Sequence, residues 1–256
     1  MNLAQEKIFC LIGYPLGHSF SAKYFNEKIF PNSDLPNYNY ELCEMENISN
    51  IRKFLEEREN IFGLNVTVPH KKNIMSFLDE ISDEAKEIGA VNCVKVSRKN
   101  NEIFLSGFNT DVYGFEKSLN NFLSEKISKA IILGTGGSAM AAAFVLNKKN
   151  IEYVFVSRNN KNNNTILYNE LNEKIFHESN LIINCTPLGM FPNTENFPPI
   201  PYEFISENHF CFDMVYNPAE TEFLKKCKIQ NLKCKIQNGL KMLYHQADQS
   251  YDIWNK

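Results

Sequence analysis

Short apolar runs alternate along the chain with stretches in which apolar residues recur every three or four positions. The runs predict the strands Ile8–Ile12, Tyr38–Met45, Phe62–Val68, Val91–Ser97, Glu102–Ser106, Lys129–Leu133, Tyr153–Ser157, Leu181–Asn184 and Phe210–Val215. The periodic stretches predict the helices Ser19–Phe30, Ile48–Leu55, Ile74–Leu78, Asp83–Ile88, Val112–Leu123 and Ser138–Asn147, and a last helix from Gly239 onward. Such alternation predicts an α/β protein with parallel sheets, interrupted by one hairpin across residues 98–101.

Composition narrows the class of protein. Hydrophobic residues make up 43% and charged residues 22% of the 256 residues, which excludes a disordered or collagen-like chain. A net charge of −3 argues against a general nucleic-acid binder. The longest uncharged stretch, residues 130–147, is shorter than the ~20 residues of a spanning helix and contains a glycine cluster, so we expect no membrane segment.

The seven cysteines are odd in number, and none stands in a C-x-x-C pair. Reduced thiols in a cytoplasmic protein are the simplest interpretation. The first residues mix an acid and a base ahead of a short apolar run, which is not typical of a signal peptide. His18, His70 and His245 lie near polar motifs, but no H-E-x-x-H or Cys/His ligand spacing accompanies them, so we predict no metal.

The clearest single motif follows the predicted strand Lys129–Leu133. It reads Gly134-Thr135-Gly136-Gly137-Ser138, and a predicted helix begins directly after it. Gly134 allows a tight turn, Gly136 lets the backbone approach a pyrophosphate, and the helix N-terminus offers unpaired N–H groups to the anion. The pattern predicts a dinucleotide site, although Met140 and Ala141 stand where a third small residue is usual; an ordinary glycine-rich turn is the alternative.

The end of the following strand indicates which dinucleotide. In an NAD site, an Asp or Glu usually stands about 20 residues after the glycine motif. This chain has Ser157-Arg158 there instead. Ser157 can donate to a phosphate, Arg158 can pair with a 2′-phosphate or cover the adenine, and Lys161 adds positive charge. The pattern favours NADP over NAD, with a plain surface arginine as the alternative.

Further polar clusters stand at the ends of short apolar runs. They are Gly17-His18-Ser19-Phe20-Ser21, Asn65-Val66-Thr67-Val68-Pro69-His70-Lys71, Gly89-Ala90-Val91-Asn92, Gly107-Phe108-Asn109-Thr110-Asp111, Asp213–Pro218 and Leu243–Ala247. In order and spacing, and together with the nucleotide motif, they resemble the shikimate dehydrogenase family from Gly13 to Gln246. The combination of N-V-T-V-P-x-K with N-T-D carries more of the resemblance than the glycines do.

The resemblance implies a reaction and a catalytic pair. The reaction is the NADPH-dependent reduction of 3-dehydroshikimate to shikimate, a step toward chorismate and the aromatic amino acids. Lys71 matches the family's catalytic lysine and Asp111 its partner. Hydride reduction of a ketone needs a positioned acid to protonate the forming alkoxide. A lysine next to Lys72 at a helix start is more often solvated, so the neighbouring polar residues are what favour catalysis.

The resemblance also implies the binding residues. For the substrate these are Ser19, Ser21, Asn65, Thr67, Asn92, Tyr216 and Gln246. For the cofactor they are Asp83, Gly134, Thr135, Gly136, Gly137, Ser138, Ser157, Arg158, Lys161, Asn184, Thr186, Met214 and Gly239. Ser19 and Ser21 would hold the substrate carboxylate ahead of a helix, where simple helix capping is the alternative role for a serine.

Two departures from the family pattern lie in the cofactor half. The family's N-R-T reads Ser157-Arg158-Asn159 here, and the second basic residue, Lys161, stands one position early. The chain is also short for the family, and we place the trimming between Ser157 and Leu181.

The resemblance implies two α/β domains with the active site in a cleft between them. Residues 1–108 would form the substrate-binding catalytic domain, completed by the C-terminal helix 238–256. Residues 109–237 would form the Rossmann-type NADP-binding domain. The expected protein is cytoplasmic, a monomer or homodimer, and binds no nucleic acid. With only 11 glycines against an expected ~18, we also expect the remaining ones to mark the cleft.

Three alternatives stay open. A quinate/shikimate dehydrogenase of the same family would use NAD. A non-catalytic dinucleotide-binding sensor would not need the Lys71 and Asp111 pair. A methylenetetrahydrofolate-type dehydrogenase shares the two-domain plan by analogy only, and it leaves Ser19 and Ser21 unexplained.

Overall fold

The structure is a computed structural model, which describes residues 6–17, 20–32, 37–100, 102–127, 129–159 and 164–256. The strands are β1 (Lys7–Gly13), β2 (Tyr38–Glu44), β3 (Ile61–Val66), β4 (Glu80–Ile81), β5 (Cys93–Lys99), β6 (Glu102–Phe108), β7 (Lys129–Leu133), β8 (Glu152–Ser157), β9 (Thr165–Leu167), β10 (Leu181–Asn184), β11 (Phe210–Asp213) and β12 (Lys235–Gln237). The α-helices are α1 (Phe20–Tyr24), α2 (Ile51–Glu57), α3 (Asp83–Ile88), α4 (Thr110–Phe122), α5 (Gly137–Lys148), α6 (Glu173–Glu178), α7 (Glu222–Gln230) and α8 (Leu240–Asn255).

The chain divides into two compact units. The first comprises residues 1–114 and 244–256, and the second comprises residues 115–243. One boundary between the units falls inside α4 and the other inside α8, so the chain passes from one unit to the other within a helix and not in a loop. The sequence places the domain boundaries elsewhere, at 108/109 and 237/238.

The first unit is built on a six-stranded sheet in the order β2-β1-β3-β5-β6-β4. β1 is parallel to both neighbours, whereas β5 is antiparallel to β3 and to β6. The sheet of this unit is therefore mixed, and only part of it is parallel as the strand–helix alternation predicts. The β5–β6 hairpin, which the sequence does predict, reverses the strand direction and makes the sheet mixed.

Alternation along β1 gives this sheet two buried faces. Ile8, Cys10 and Ile12 pack on the face covered by α2, in a core that includes Ile51 and Leu55. Phe9 and Leu11 pack on the other face, with Phe25 and Trp254. Because side chains alternate across a strand, a strand buried on both faces is apolar throughout, as the Ile8–Ile12 run is.

The second unit contains a six-stranded, all-parallel sheet in the order β12-β11-β10-β7-β8-β9. Numbered from β7, this order is 3-2-1-4-5-6, which is typical of dinucleotide-binding folds. The order reverses between β7 and β10. Ligands of such sheets bind beyond the carboxyl ends of the strands at this switch point.

Two glycines of the first unit serve internal packing. A Cβ at Gly63 would collide with the indole of Trp254, and one at Gly107 would collide with Leu78. Packing within the first unit is therefore enough to explain why both positions are glycine. These two glycines do not support the idea that every glycine marks a ligand-binding cleft. Among the described residues, none of the helices combines the length and the apolar character that crossing a membrane requires.

Candidate functional site

Three backbone segments bring polar side chains together in the first unit. β3 ends just after Asn65 and leads to Lys71, the loop before β5 carries Asn92, and α4 begins at Thr110. Asn109 fixes the start of α4, since its amide donates to the Ala90 carbonyl (2.9 Å) and its oxygen accepts from the Val112 N–H (3.3 Å). The turn into the helix therefore presents Asp111 to the neighbouring loops.

Lys71, Asp111 and Asn92 form one chain of contacts. Lys71 Nζ lies 2.5 Å from Asp111 Oδ2, and Asn92 Nδ2 donates to Asp111 Oδ1 over 2.8 Å. The Lys71 side chain is 15% exposed and that of Asp111 8%. An ammonium on this carboxylate is a charge-assisted hydrogen bond, and Asn92 fixes the second carboxylate oxygen. The ammonium is thus held in place on a side chain that stays partly exposed.

A second set of hydrogen bonds ties this pair to β3 and α8. Asn65 Oδ1 accepts from the Tyr40 hydroxyl (2.8 Å), and Asn65 Nδ2 donates to Ser250 Oγ (2.9 Å). Ser250 Oγ lies 3.2 Å from Thr110 Oγ1, and the Thr110 N–H donates to Asn92 Oδ1 over 2.6 Å. All five side chains are buried, so each polar group needs such a partner.

The structure adds three residues to which no role was assigned from the sequence: Tyr40, Ser250 and Thr110, the last of which belongs to the N-T-D element. Tyr40 is visible in the sequence only as part of an alternating strand, and Ser250 as a polar position on the apolar side of the last helix. Its spacing of four from Gln246, whose carbonyl it contacts at 2.8 Å, is the one signal that could have indicated it. His70, one of the three histidines near polar motifs, is buried with Nε2 2.6 Å from the Met45 carbonyl.

The other residues predicted to bind the substrate lie on different elements, and one of them belongs to the second unit. Ser21 is buried on α1, whose Tyr24 stacks on Tyr244 of α8 with 4.5 Å between ring centroids. Thr67 directly follows β3, and Gln246 Oε1 accepts from Thr110 Oγ1 over 3.2 Å. Tyr216 belongs to the second unit. Ser19 lies outside the described residues.

The glycine-rich turn of the second unit joins β7 to α5. Gly134 has φ +102°, a conformation that side chains disfavour, and its N–H donates to the Val156 carbonyl (2.8 Å). Gly136 is the N-cap of α5, and beyond its chain neighbours no described residue lies within 4 Å of a Cβ built on it. Thr135, Gly137 and Ser138 complete the turn. The helix packs through small residues at 139 and 141–143, which are buried, so alanines take the role of the missing third glycine.

This turn fits a dinucleotide. The strand order puts it at the switch point, the open space above Gly136 admits a ligand close to the backbone, and α5 has 12 residues whose first N–H groups lack helical partners. Ser157 and Arg158 stand at the carboxyl end of β8, next to the turn in the sheet order. Burial raises the pKa of Tyr168, and the Arg158 charge opposes that rise. Lys161 lies outside the described residues.

Asn184, at the end of β10, is held by a buried carboxylate. Asn184 Nδ2 donates to Asp213 Oδ1 (2.9 Å), and Asn184 Oδ1 accepts from the Thr186 hydroxyl (2.6 Å) and from the Thr186 N–H (3.0 Å). The second oxygen of Asp213 accepts from Thr221 over 2.5 Å. Asp213 thereby fixes the loop of two predicted cofactor residues, although the sequence did not assign it a role of its own.

The remaining predicted cofactor residues are Met214, Gly239 and Asp83. The Gly239 N–H donates to the Val215 carbonyl (3.2 Å), and a Cβ at Gly239 would collide with the Met214 carbonyl. Glycine is therefore required where these two segments meet. Asp83 is fully exposed in the first turn of α3, in the first unit, and pairs with Lys86 at 3.4 Å.

We expect replacement of Asp213 by asparagine to change how stability depends on pH. Burial raises the pKa of the Asp213 carboxyl from 3.8 to about 6, although hydrogen bonds from Thr221, Val215 and Asn184 oppose the rise. The folded state therefore holds this proton more tightly than the unfolded state, and the stability it contributes is lost as pH rises through about 6. Relative to Asp213→Asn, the wild type should lose about 2 kcal/mol of unfolding free energy between pH 4 and pH 8.

Urea unfolding at several pH values measures this difference. The exposed Asp252→Asn serves as the control and should follow the wild type at every pH. Parallel pH curves for the wild type and Asp213→Asn would show that Asp213 titrates normally.

Three comparisons with known proteins bear on this site. Residues 11–94 match the family model described as the shikimate dehydrogenase substrate binding domain. A Methanococcus aeolicus protein named shikimate dehydrogenase (NADP(+)) is 38% identical over 267 residues, covering 98% of this chain and 92% of the relative.

Solved structures agree with this likeness. Shikimate dehydrogenase 1 from Peptoclostridium difficile superposes with a TM-score of 0.82 at 35% identity, covering 97% of this chain and 91% of that one. Shikimate 5-dehydrogenase from Thermus thermophilus, solved in complex with NADP(H) and shikimate, superposes with a TM-score of 0.80 at 28% identity, covering 97% and 93%.

Proposed function

The chain belongs to the shikimate dehydrogenase family, and we propose that it catalyses the reversible, NADPH-dependent reduction of 3-dehydroshikimate to shikimate. It is an oxidoreductase whose cofactor is NADP. This reaction serves the biosynthesis of aromatic compounds. The chemical observation that supports the proposal is the Lys71–Asp111 ion pair, because a simple dinucleotide-binding protein does not need an ammonium held on a carboxylate by a partly exposed lysine.

We propose Lys71 as the proton donor for ketone reduction. When bound, NADPH supplies the hydride. Lys71 Nζ carries the proton that the forming alkoxide needs, and the reverse reaction returns the proton to the same atom. Asp111, fixed on its other oxygen by Asn92, keeps Nζ pointing in one direction. Orientation of this kind is what a general acid requires, since proton transfer depends on hydrogen-bond geometry.

The amides and hydroxyls of the hydrogen-bond network around Lys71 and Asp111 would recognise the substrate hydroxyls. Asn65, Asn92 and Gln246 are each held by at least one hydrogen bond to a neighbour, which fixes their rotamers before a ligand arrives. Such fixed polar groups discriminate strongly against a ligand that lacks the matching hydroxyl. We propose that Thr67, Ser19, Ser21 and Tyr216 contact the same molecule, with the two serines and Tyr216 at its carboxylate.

The cofactor would be held in the second unit. Gly134–Ser138 would hold the pyrophosphate, Ser157, Arg158 and Lys161 the adenosine half, and Asn184, Thr186, Met214 and Gly239 the nicotinamide half. Support comes from the strand order and from the open space at Gly136. Asp83 is an exposed residue of the first unit, and its cofactor contact stays a proposal.

A spectrophotometric assay tests the proposed function. Purified protein with shikimate and NADP should produce NADPH, and shikimate with NAD should react more slowly. Faster reaction of quinate with NAD would replace the proposal by a quinate dehydrogenase. Tight NADP binding without turnover of either substrate would favour a sensor.

We expect Arg158→Ala to weaken NADP binding more than NAD binding. A hydrogen bond to a charged group contributes about 1.5–3 kcal/mol, which corresponds to roughly 10- to 100-fold in the KM for NADP. The KM for NAD should stay within about twofold, because NAD has no 2′-phosphate. Lys174→Ala removes another exposed charge of the second unit and should leave both values unchanged. An equal loss for both cofactors would show that Arg158 contacts the adenine and not the 2′-phosphate.

We also propose action in the cytoplasm, as a monomer or homodimer. All seven cysteines lie among the described residues and none of them forms a disulfide, which supports a reducing compartment. Fractionation of the source cells and light scattering of the purified protein test the two statements.

A further inference from the structure

Two cysteines and a glutamate converge on the first sheet. Cys10 lies on β1, and Glu41 and Cys43 lie on β2. In the parallel register Cys10 stands opposite Glu41, and Ile12 stands opposite Cys43. One sulfur or carboxylate oxygen from each of Cys10, Glu41 and Cys43 lies within 4.8 Å of the others. The cluster therefore has three potential ligand atoms around one point.

This cluster is separate from the proposed active site. Cys10 packs with the Ile8 and Ile12 face of the sheet, whereas Tyr40, which binds Asn65, packs on the opposite face with Phe9. The sheet itself lies between the two groups of residues. Whatever binds at the cysteines would not contact Lys71 or Asp111 directly.

The spacing argues against a disulfide between the two cysteines. Cys43 is displaced by two residues from the position opposite Cys10, so the strand rise and strand separation place their Cα atoms roughly 8 Å apart. A disulfide needs less than about 7 Å, and the backbone of a central strand cannot shift easily. An ion between the sulfurs closes the remaining distance, because metal–sulfur bonds of about 2.3 Å extend the reach from both sides.

We propose that Cys10, Cys43 and Glu41 bind a thiophilic divalent cation of the Zn²⁺ class. Two thiolates and one carboxylate carry three negative charges, and the cation together with Arg58 carries three positive charges. Arg58 already contacts the cluster, with Nη2 2.7 Å from Glu41 Oε2 and Nη1 3.6 Å from Cys43 Sγ. Zn²⁺ favours four ligands, and a solvent molecule can supply the fourth because Glu41 and Cys43 are half-buried.

Binding would form two sulfur–metal bonds and one oxygen–metal bond. The two thiol protons pass to the buffer, and no electrons are transferred. Sequence spacing does not indicate this site, since its ligands come from two strands 31 or more residues apart and match no short ligand pattern. It revises the expectation of a metal-free protein.

Cobalt titration of the full-length protein tests the site. Co²⁺ is added with a non-thiol phosphine reductant present, so that all thiols stay reduced. We expect a sulfur-to-cobalt charge-transfer band that saturates at one Co²⁺ per chain and disappears when Zn²⁺ is added. Zn²⁺ should also raise the thermal midpoint, because a ligand that binds the folded state stabilises it.

Variants show whether the band comes from this cluster. Cys43→Ser should abolish the band, and Glu41→Gln should weaken Co²⁺ binding at least tenfold. These half-buried positions are preferred over the fully buried Cys10, whose replacement can disturb folding. Cys185→Ser, at a partly exposed cysteine of the second unit, is the matched control and should keep full stoichiometry. Absence of the band in the wild type, or its survival in Cys43→Ser, would overturn the proposal. Neither result depends on shikimate oxidation.

Discussion

Replacement of Lys71 by alanine is expected to lower kcat for shikimate oxidation by about 10²- to 10⁴-fold, the usual contribution of a general acid or base. The Kd for shikimate should change only a few-fold, because the hydrogen bonds of Asn65 and Asn92 do not involve Lys71. Stopped-flow or steady-state assays give kcat, and equilibrium titration gives the Kd. The effect on kcat should therefore exceed the effect on binding by at least tenfold.

Two further variants separate chemistry from charge. Lys71→Arg keeps a cation beside Asp111, but a guanidinium has a pKa well above that of an ammonium and does not release a proton readily. We expect it to retain shikimate binding and to lose most of kcat. Lys72→Ala removes the exposed neighbouring lysine and should behave as wild type. If Lys71→Ala kept kcat within threefold of the wild type, Lys71 would be excluded as the proton donor.

The parts of the fold that the sequence predicts are those governed by local pattern. The strand–glycine–helix unit around Gly134 is local, because its strand, turn and helix are contiguous in the chain. β9 and β12 were not predicted, since three residues are too few to show a period. α6 and α7 were not predicted either, and the predicted helix Ser19–Phe30 splits into α1 and a π-helical turn at Phe25–Ile29.

The candidate site, in contrast, depends mainly on contacts between residues that are distant in the sequence. Lys71 and Asp111 are 40 residues apart, and only the family resemblance predicts that they meet. Ser250 lies 185 residues from Asn65, and a serine on a helix has no pattern that marks it as a partner of a distant amide. The convergence of Cys10, Glu41 and Cys43 depends on the register between β1 and β2, which a single strand's sequence does not specify.

Replacement of Asn92 by leucine is expected to affect both stability and catalysis. Asn92 Nδ2 donates to Asp111 Oδ1, and Asn92 Oδ1 accepts from the Thr110 N–H. Leucine leaves the Thr110 N–H and Asp111 Oδ1 without this partner, at a cost of about 1–3 kcal/mol for each, whereas Asp111 Oδ2 keeps Lys71. We expect the unfolding free energy to fall by about 3 kcal/mol or more, and kcat to fall as well because Asp111 no longer holds Lys71 in one orientation.

Asn92→Asp distinguishes this network from a loss of packing alone. The aspartate still accepts from Thr110, but it brings a second carboxylate to the position from which Asn92 donates, 2.8 Å from Asp111 Oδ1. Like charges at this distance raise the pKa of one carboxyl, so the variant should be unstable at pH 8 and regain stability toward pH 5, where the two carboxyls share a proton. Asn92→Leu should show no such recovery, and the exposed Asn73→Ala should match the wild type throughout. Equal pH dependence of the aspartate and leucine variants would contradict the contact between Asn92 and Asp111, and with it the orientation of Lys71 on which the proposed mechanism rests.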